Sequence, residues 1–193
     1  MNTPPPTQTV ELPWAYRLLN SGPVLLISST DGVRPNVCPV AWCATVAKKP
    51  PRFVLTVGTG HHTFANIERS GVLGINLPTA ELRDLVMYCG SCSGRDVDKF
   101  AQAGIQQHPG QVLPELPLLS ECAAWLECRL TEVLASGDHK LLIVEAVAAA
   151  CRPGVLDGNH HWSVERYPTL HHLGGSAFGV ALRRLDGDGG KLG

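Results

Sequence analysis

A mainly β, antiparallel barrel with short inserted helices is the fold this sequence predicts, on three observations. At least six segments carry the β-branched and apolar content of strands. They do not alternate regularly with helices, which argues against a doubly wound parallel sheet. The 193 residues, 44% hydrophobic and 17% charged, suffice for one sizeable core and are cramped for two. Closing the sheet into a barrel removes edges that such strands would otherwise expose.

Residues 1–12 read as a flexible Pro-rich arm, residues 13–185 as the single domain, and residues 186–193 as a flexible Gly-rich tail. Pro23 to Ser29 forms a first strand, Asp31-Gly32 a turn, and Asn36 to Ala47 the returning strand of a hairpin. Pro50-Pro51 breaks the chain before the strand Arg52 to Val57, and Gly71 to Leu77 makes a fourth. Between these last two lies a short helix, His61 to Ser70, capped by Thr63 and ended by Gly71. Leu82, Leu85 and Val86 recur near the helical period in a second helix that Gly90 closes, and a third turn runs from Asp96 to Ala103. Cys122 to Leu134 and His139 to Ala150 flank Ser136-Gly137-Asp138 as a long hairpin. Many residues of that pair are apolar on both faces, so a second copy of the chain is expected to cover the outer wall, giving a homodimer.

Sixteen Lys and Arg against seventeen Asp and Glu give a net charge of −1, so no global field recruits nucleic acid or an anionic membrane, and any basic site is local. Trp14, Tyr16, Trp125, Trp162 and Tyr167 have no basic stripe among them and read as packing. The richest apolar stretch, Leu141 to Cys151, is shorter than the roughly 20 residues a membrane span needs and carries Glu145. With no signal-peptide pattern at the start and seven cysteines, an odd number, the expectation is a cytoplasmic protein with free thiols. Cys89 and Cys92 have redox spacing, but they follow a helix instead of opening one, which favours structural thiols. Adjacent histidines such as His61-His62 and His171-His172 point to opposite faces when extended and make poor shared ligands, and no Cys and His pattern completes a zinc set.

Three segments carry candidate chemistry. In Ser91 to Phe100, Ser93 offers a hydroxyl, Gly94 lets the backbone approach a ligand, Arg95 presents a planar fork, and Lys99 lies four residues on; together they suit a phosphate. The plainer alternative is a solvated helix start in which Asp96 caps the turn. Thr63 at a helix start aims its hydroxyl and free N–H groups at an anion, or simply caps the helix, with Asn66 bracing the backbone. Asn36, Pro39, Ala41 and Trp42 lie on a bent strand beside a groove, unless Trp42 is core. No triad or acid/base dyad is visible, and no catalytic residue is assigned.

The order Asn36-x-x-Pro39-x-x-Trp42, then Thr63-x-x-Asn66-Ile67, then Ser93-Gly94-Arg95-x-Val97-Asp98-Lys99-Phe100 resembles the flavin reductase-like family of FMN-binding split barrels, which includes flavoredoxin-type proteins. Leu126-Glu127-Cys128 and His172-Leu173-Gly174-Gly175 extend the likeness, which runs from about Pro23 to Phe178. Three positions depart from the family pattern: Ala41 where Ser or Thr is frequent, His62 in place of an acidic residue, and Phe178 where Tyr is common.

The resemblance implies a homodimer with non-covalent FMN at the subunit interface. Thr63, Ser93, Arg95 and Lys99 then hold the phosphate, the segment from Asn36 to Trp42 borders the isoalloxazine, and Asn66 supports the loop. It further implies hydride transfer from NAD(P)H, and electrons passed on to a small-molecule or protein acceptor. His172 is a candidate to face the cleft. The alternative is a non-enzymatic FMN-binding or electron-carrier protein, and a third option, a heme- or metal-binding split barrel, differs by its absorbance spectrum.

Overall fold

The computed structural model describes Leu18 and residues 22–186; the expected arm, the tail beyond Asp186, Trp14 and Tyr16 lie outside the described residues. Seven strands form one antiparallel sheet: β1 (Leu25–Thr30), β2 (Pro35–Val40), β3 (Cys43–Lys48), β4 (Pro51–Gly58), β5 (Val72–Leu77), and a long pair, β8 (Ala124–Ser136) and β9 (His139–Cys151). Their order is β2-β1-β5-β8-β9-β4-β3. The outermost strands, β2 and β3, are consecutive in the chain and joined only through Ala41 and Trp42, so the sheet curls round until its two ends meet at a seam. This is the predicted barrel, split at one place. The single strand expected from Asn36 to Ala47 is in fact two, because the backbone leaves one ladder at Val40 and enters another at Cys43.

β1 explains why its sequence is apolar without alternation. Leu25 and Ile27 point into the barrel with Leu55, Val57, Leu73, Ile75, Leu142 and Val144, while Val24 and Leu26 pack outward under the helices. A strand covered on both faces reads as a continuous apolar run. Asp31 Oδ1 closes the β1–β2 turn by accepting from the N–H groups of Val33 and Arg34.

Helix α1 (His62–Ser70) follows β4 and sets Phe64 and Ile67 into the barrel core. It ends at Gly71, whose φ of 71° is the left-handed conformation glycine adopts freely. Thr63 is not its cap: His61 holds that position with no side-chain hydrogen bond, and Thr63 lies inside the first turn. A 3-10 turn (Ala80–Leu82) leads into α2 (Arg83–Ser91), and α3 (Lys99–Ala103) is capped by Asp98, not Asp96, through Ala101 N–H. Both helices cover β2, with Val86, Cys89 and Phe100 packed on Val37 and Leu26. Two short strands, β6 (Gln107–Pro109) and β7 (Pro117–Leu119), precede β8 and β9, and a hairpin of β10 (Thr169–Gly174) and β11 (Ala177–Ala181) ends the fold.

Candidate functional site

A cleft of about 450 Å³ opens at the seam of the barrel. Its floor is the β2–β3 crossing, Pro39 to Trp42, where Trp42 C=O accepts from Thr56 N–H at 2.9 Å. One wall is α2, through Val86, Met87 and Gly90; the opposite wall is the end of β4 with His61 and His139. The β10–β11 hairpin closes a third side with His172, Gly174, Gly175 and Phe178. Trp42 is 39% exposed and stacks at a tilt on His139, with ring centroids 5.1 Å apart, so it is a cleft residue and not core. His172 does face the cleft, with Nε2 3.0 Å from Gly175 C=O and its ring against Phe178. Among the described residues the lining contains no Asp, Glu, Lys or Arg; its titratable groups are the three histidines.

Charge gathers instead beside the cleft, at the start of α1. Arg95 is exposed, and its Nη1 donates to Gly60 C=O at 2.9 Å, which ties the Ser93-Gly94-Arg95 loop to the turn before the helix. The first turn of α1 holds no acidic residue and no side-chain cap, so the positive end of the helix dipole is not neutralised there. The two histidines at this end are shifted by burial and by the charges around them. Burial first, and then His139, Lys99 and Arg95, hold His61 below its ordinary value of 6.5. Burial and then Arg95, with Arg34 and Arg69 in the same direction and Asp31 against them, do the same to His62. In a chain of net charge −1, the basic site is local.

The remaining candidates form the scaffold of this corner. Asn36 is 3% exposed; its Nδ2 donates to Thr63 Oγ1 at 2.7 Å, joining β2 to α1. Asn66 is buried and reaches Ser29 Oγ on β1 while accepting from Arg69. Lys99 is 3% exposed, and its ammonium donates to the carbonyls of Val37 and Cys89, tying α3 to β2 and to the end of α2. The structure therefore brings the three sequence segments to one corner, but with a division of labour. Arg95 lies toward solvent and Ser93 is half-buried beside it, its Oγ accepting from Arg95 N–H; Pro39, Ala41 and Trp42 line the cleft, and Asn36, Thr63, Asn66 and Lys99 are buried behind them.

Residues 17–172 match the flavin reductase like domain. The chain belongs to that family. Among relatives of this flavin reductase-like protein, YddH of Escherichia coli is 38% identical over 91% of this chain and 95% of its own. An FMN-binding domain of a flavin reductases-like enzyme from Shewanella baltica superposes with a TM-score of 0.76 at 29% identity, covering 93% of this chain and 96% of that one. The FMN-binding protein of Thermus thermophilus, at 23% identity, shares the fold with a TM-score of 0.80 over 97% of this chain and all of its own.

The residues of this flavin reductase-like site fit a phosphorylated planar heterocycle. The cleft volume falls in the range of about 300–1,000 Å³ typical of small-molecule sites, its walls are apolar and aromatic, and a cationic helix start adjoins it. Gly90 keeps the slot narrow, since a Cβ there would press on Pro39 Cγ at 3.1 Å. His139 and Met87 were not singled out in the sequence, and His61 entered it only as the start of a helix and as one of a pair of adjacent histidines, not as a cleft residue. His139 reaches the cleft because β9 pairs with β4 so that His139 opposes Gly58, a register between segments some eighty positions apart that no local pattern encodes. Burial pushes the Cys89 thiol up to about 12, which agrees with a structural role for Cys89.

Proposed function

We propose that this protein binds FMN non-covalently in the seam cleft and works as an NAD(P)H-dependent oxidoreductase, passing the electrons to a second, small-molecule or protein acceptor. The observation that carries the reading is the junction of an uncharged, aromatic-edged cleft with a cationic, uncapped helix start. Its likeness to the FMN-binding domain from Shewanella baltica supports it. Bound flavin supplies its own hydride and single-electron chemistry, so the protein needs no nucleophile or acid/base dyad.

The chain's residues bind, orient and exclude water. Ser93, Arg95 and the first N–H groups of α1 hold the phosphate, while Asn36, Thr63, Asn66 and Lys99 keep those segments in place from behind. Pro39, Ala41 and Trp42 border the isoalloxazine, largely through backbone groups, since Ala41 brings no hydroxyl. His61, held neutral near pH 7 by burial and its cationic neighbours, offers one ring nitrogen as donor and one as acceptor. A second copy of the chain covers the outer wall, where Val46 and Leu134 are 51% and 44% exposed. Seven free thiols suit a reducing cytoplasm.

The test is optical. Purified protein should show an oxidised-flavin spectrum that bleaches on anaerobic mixing with NADH or NADPH. A spectrum that persists with both nicotinamides, yet bleaches with a reduced protein donor, would make the protein an electron carrier. A Soret band or a bound metal without flavin would overturn the FMN assignment.

A further inference from the structure

Asn36 carries an unbalanced hydrogen-bonding group in the middle of this corner. Its Nδ2 is used by Thr63, but its Oδ1 is buried and accepts no hydrogen bond among the described residues. A buried acceptor without a partner is costly, and such groups persist where the surrounding structure gains something by holding them. What Oδ1 faces is the backbone of Gly94: a Cβ on that residue would collide with Asn36 Oδ1 and Cγ and crowd the His62 ring.

One buried amide thus touches both halves of the anion-binding corner, the first turn of α1 through Thr63 and the Ser93-Gly94-Arg95 loop through Gly94. On the far side, Arg95 closes the same loop onto Gly60. We infer that Asn36 is a positioning residue for phosphate recognition: it makes no contact with the ligand, and it sets the spacing between the Arg95 loop and the N-terminus of α1. Gly94 is its necessary counterpart, since any side chain there would push the loop off its seat.

The inference rests on the FMN reading, and the ligand pair riboflavin and FMN separates the two. Both share the ring and ribityl chain, and only FMN carries the phosphate. Their dissociation constants are measured by fluorescence titration on the full chain, with the fold of each variant checked by circular dichroism and urea midpoint. Wild type should prefer FMN, and N36A and G94A should each lower that preference by about tenfold or more, the worth of one displaced charge-assisted hydrogen bond. Riboflavin affinity should stay within about threefold, a change below 1 kcal/mol.

The double variant N36A/G94A should be no worse than N36A alone, because removing the amide makes room for the new methyl group. A merely structural role would weaken both ligands in parallel. Unchanged FMN preference in N36A would overturn the inference while leaving the FMN reading intact; should N36A fail to fold, unchanged preference in G94A overturns it in the same way. A wild type without preference for FMN would overturn both.

Discussion

Lys99 and Arg95 stand four residues apart with the same charge and different tasks. Arg95 is at the surface, with one nitrogen on Gly60 C=O and the rest of its fork toward solvent. Lys99 is buried, and its ammonium is spent on two backbone carbonyls. R95A should therefore leave stability within about 0.5 kcal/mol and weaken FMN binding by about 2 kcal/mol, the scale of a charge-assisted phosphate contact. K99M should do the reverse, costing about 2–3 kcal/mol of folding free energy because two buried carbonyls lose a charged donor. Urea unfolding and FMN titration on the same two variants check the pair. The sequence identified the four-residue spacing but not this division, since burial of a lysine depends on what α3 packs against.

At the scale of elements, the long β8–β9 hairpin was plain in the sequence and the β2–β3 break was not. Apolar runs flanking Ser136-Gly137-Asp138 pair as expected, with Ser136 opposite His139. The break at Ala41-Trp42 has no glycine or proline to mark it; it exists because β2 pairs with β1 while β3 pairs with β4, and these partners lie at opposite ends of the sheet. Glu127 on β8 shows the same dependence on distant chain. It is 4% exposed and accepts from the N–H groups of Gln111, Val112 and Leu113, so one carboxylate anchors the passage before β7. E127A should destabilise by about 1–3 kcal/mol, because the buried N–H of Leu113 and the part-buried N–H groups of Gln111 and Val112 lose their acceptor. The drop should appear as a lower urea midpoint, and full stability in E127A would show that the loop finds other partners.

Across the whole molecule, the histidines by α1 tie stability to pH. Both His61 and His62 are held below 6.5 in the folded state, so the unfolded chain binds their protons first as the medium is acidified. Their contribution is complete above the unfolded value of 6.5 and is lost as pH falls through it toward the depressed folded values. The melting temperature should fall between about pH 7.5 and pH 5.5, the interval in which histidine titrates, and the variant H61Q/H62Q should flatten that slope. An unchanged slope in the variant would assign the effect to other groups. Composition, strand periodicity and the order of three loose motifs were enough to determine the class of barrel and its family, because those signals are local or add up along the chain. The sequence set Pro39 to Trp42 beside a groove and offered His172 to it, but the entry of His61 and His139, and which polar residues touch solvent and which brace from behind, were decided only by the folded chain. Those properties depend on strand register and on packing between segments far apart in sequence, and a side chain's burial is a fact about its neighbours in space.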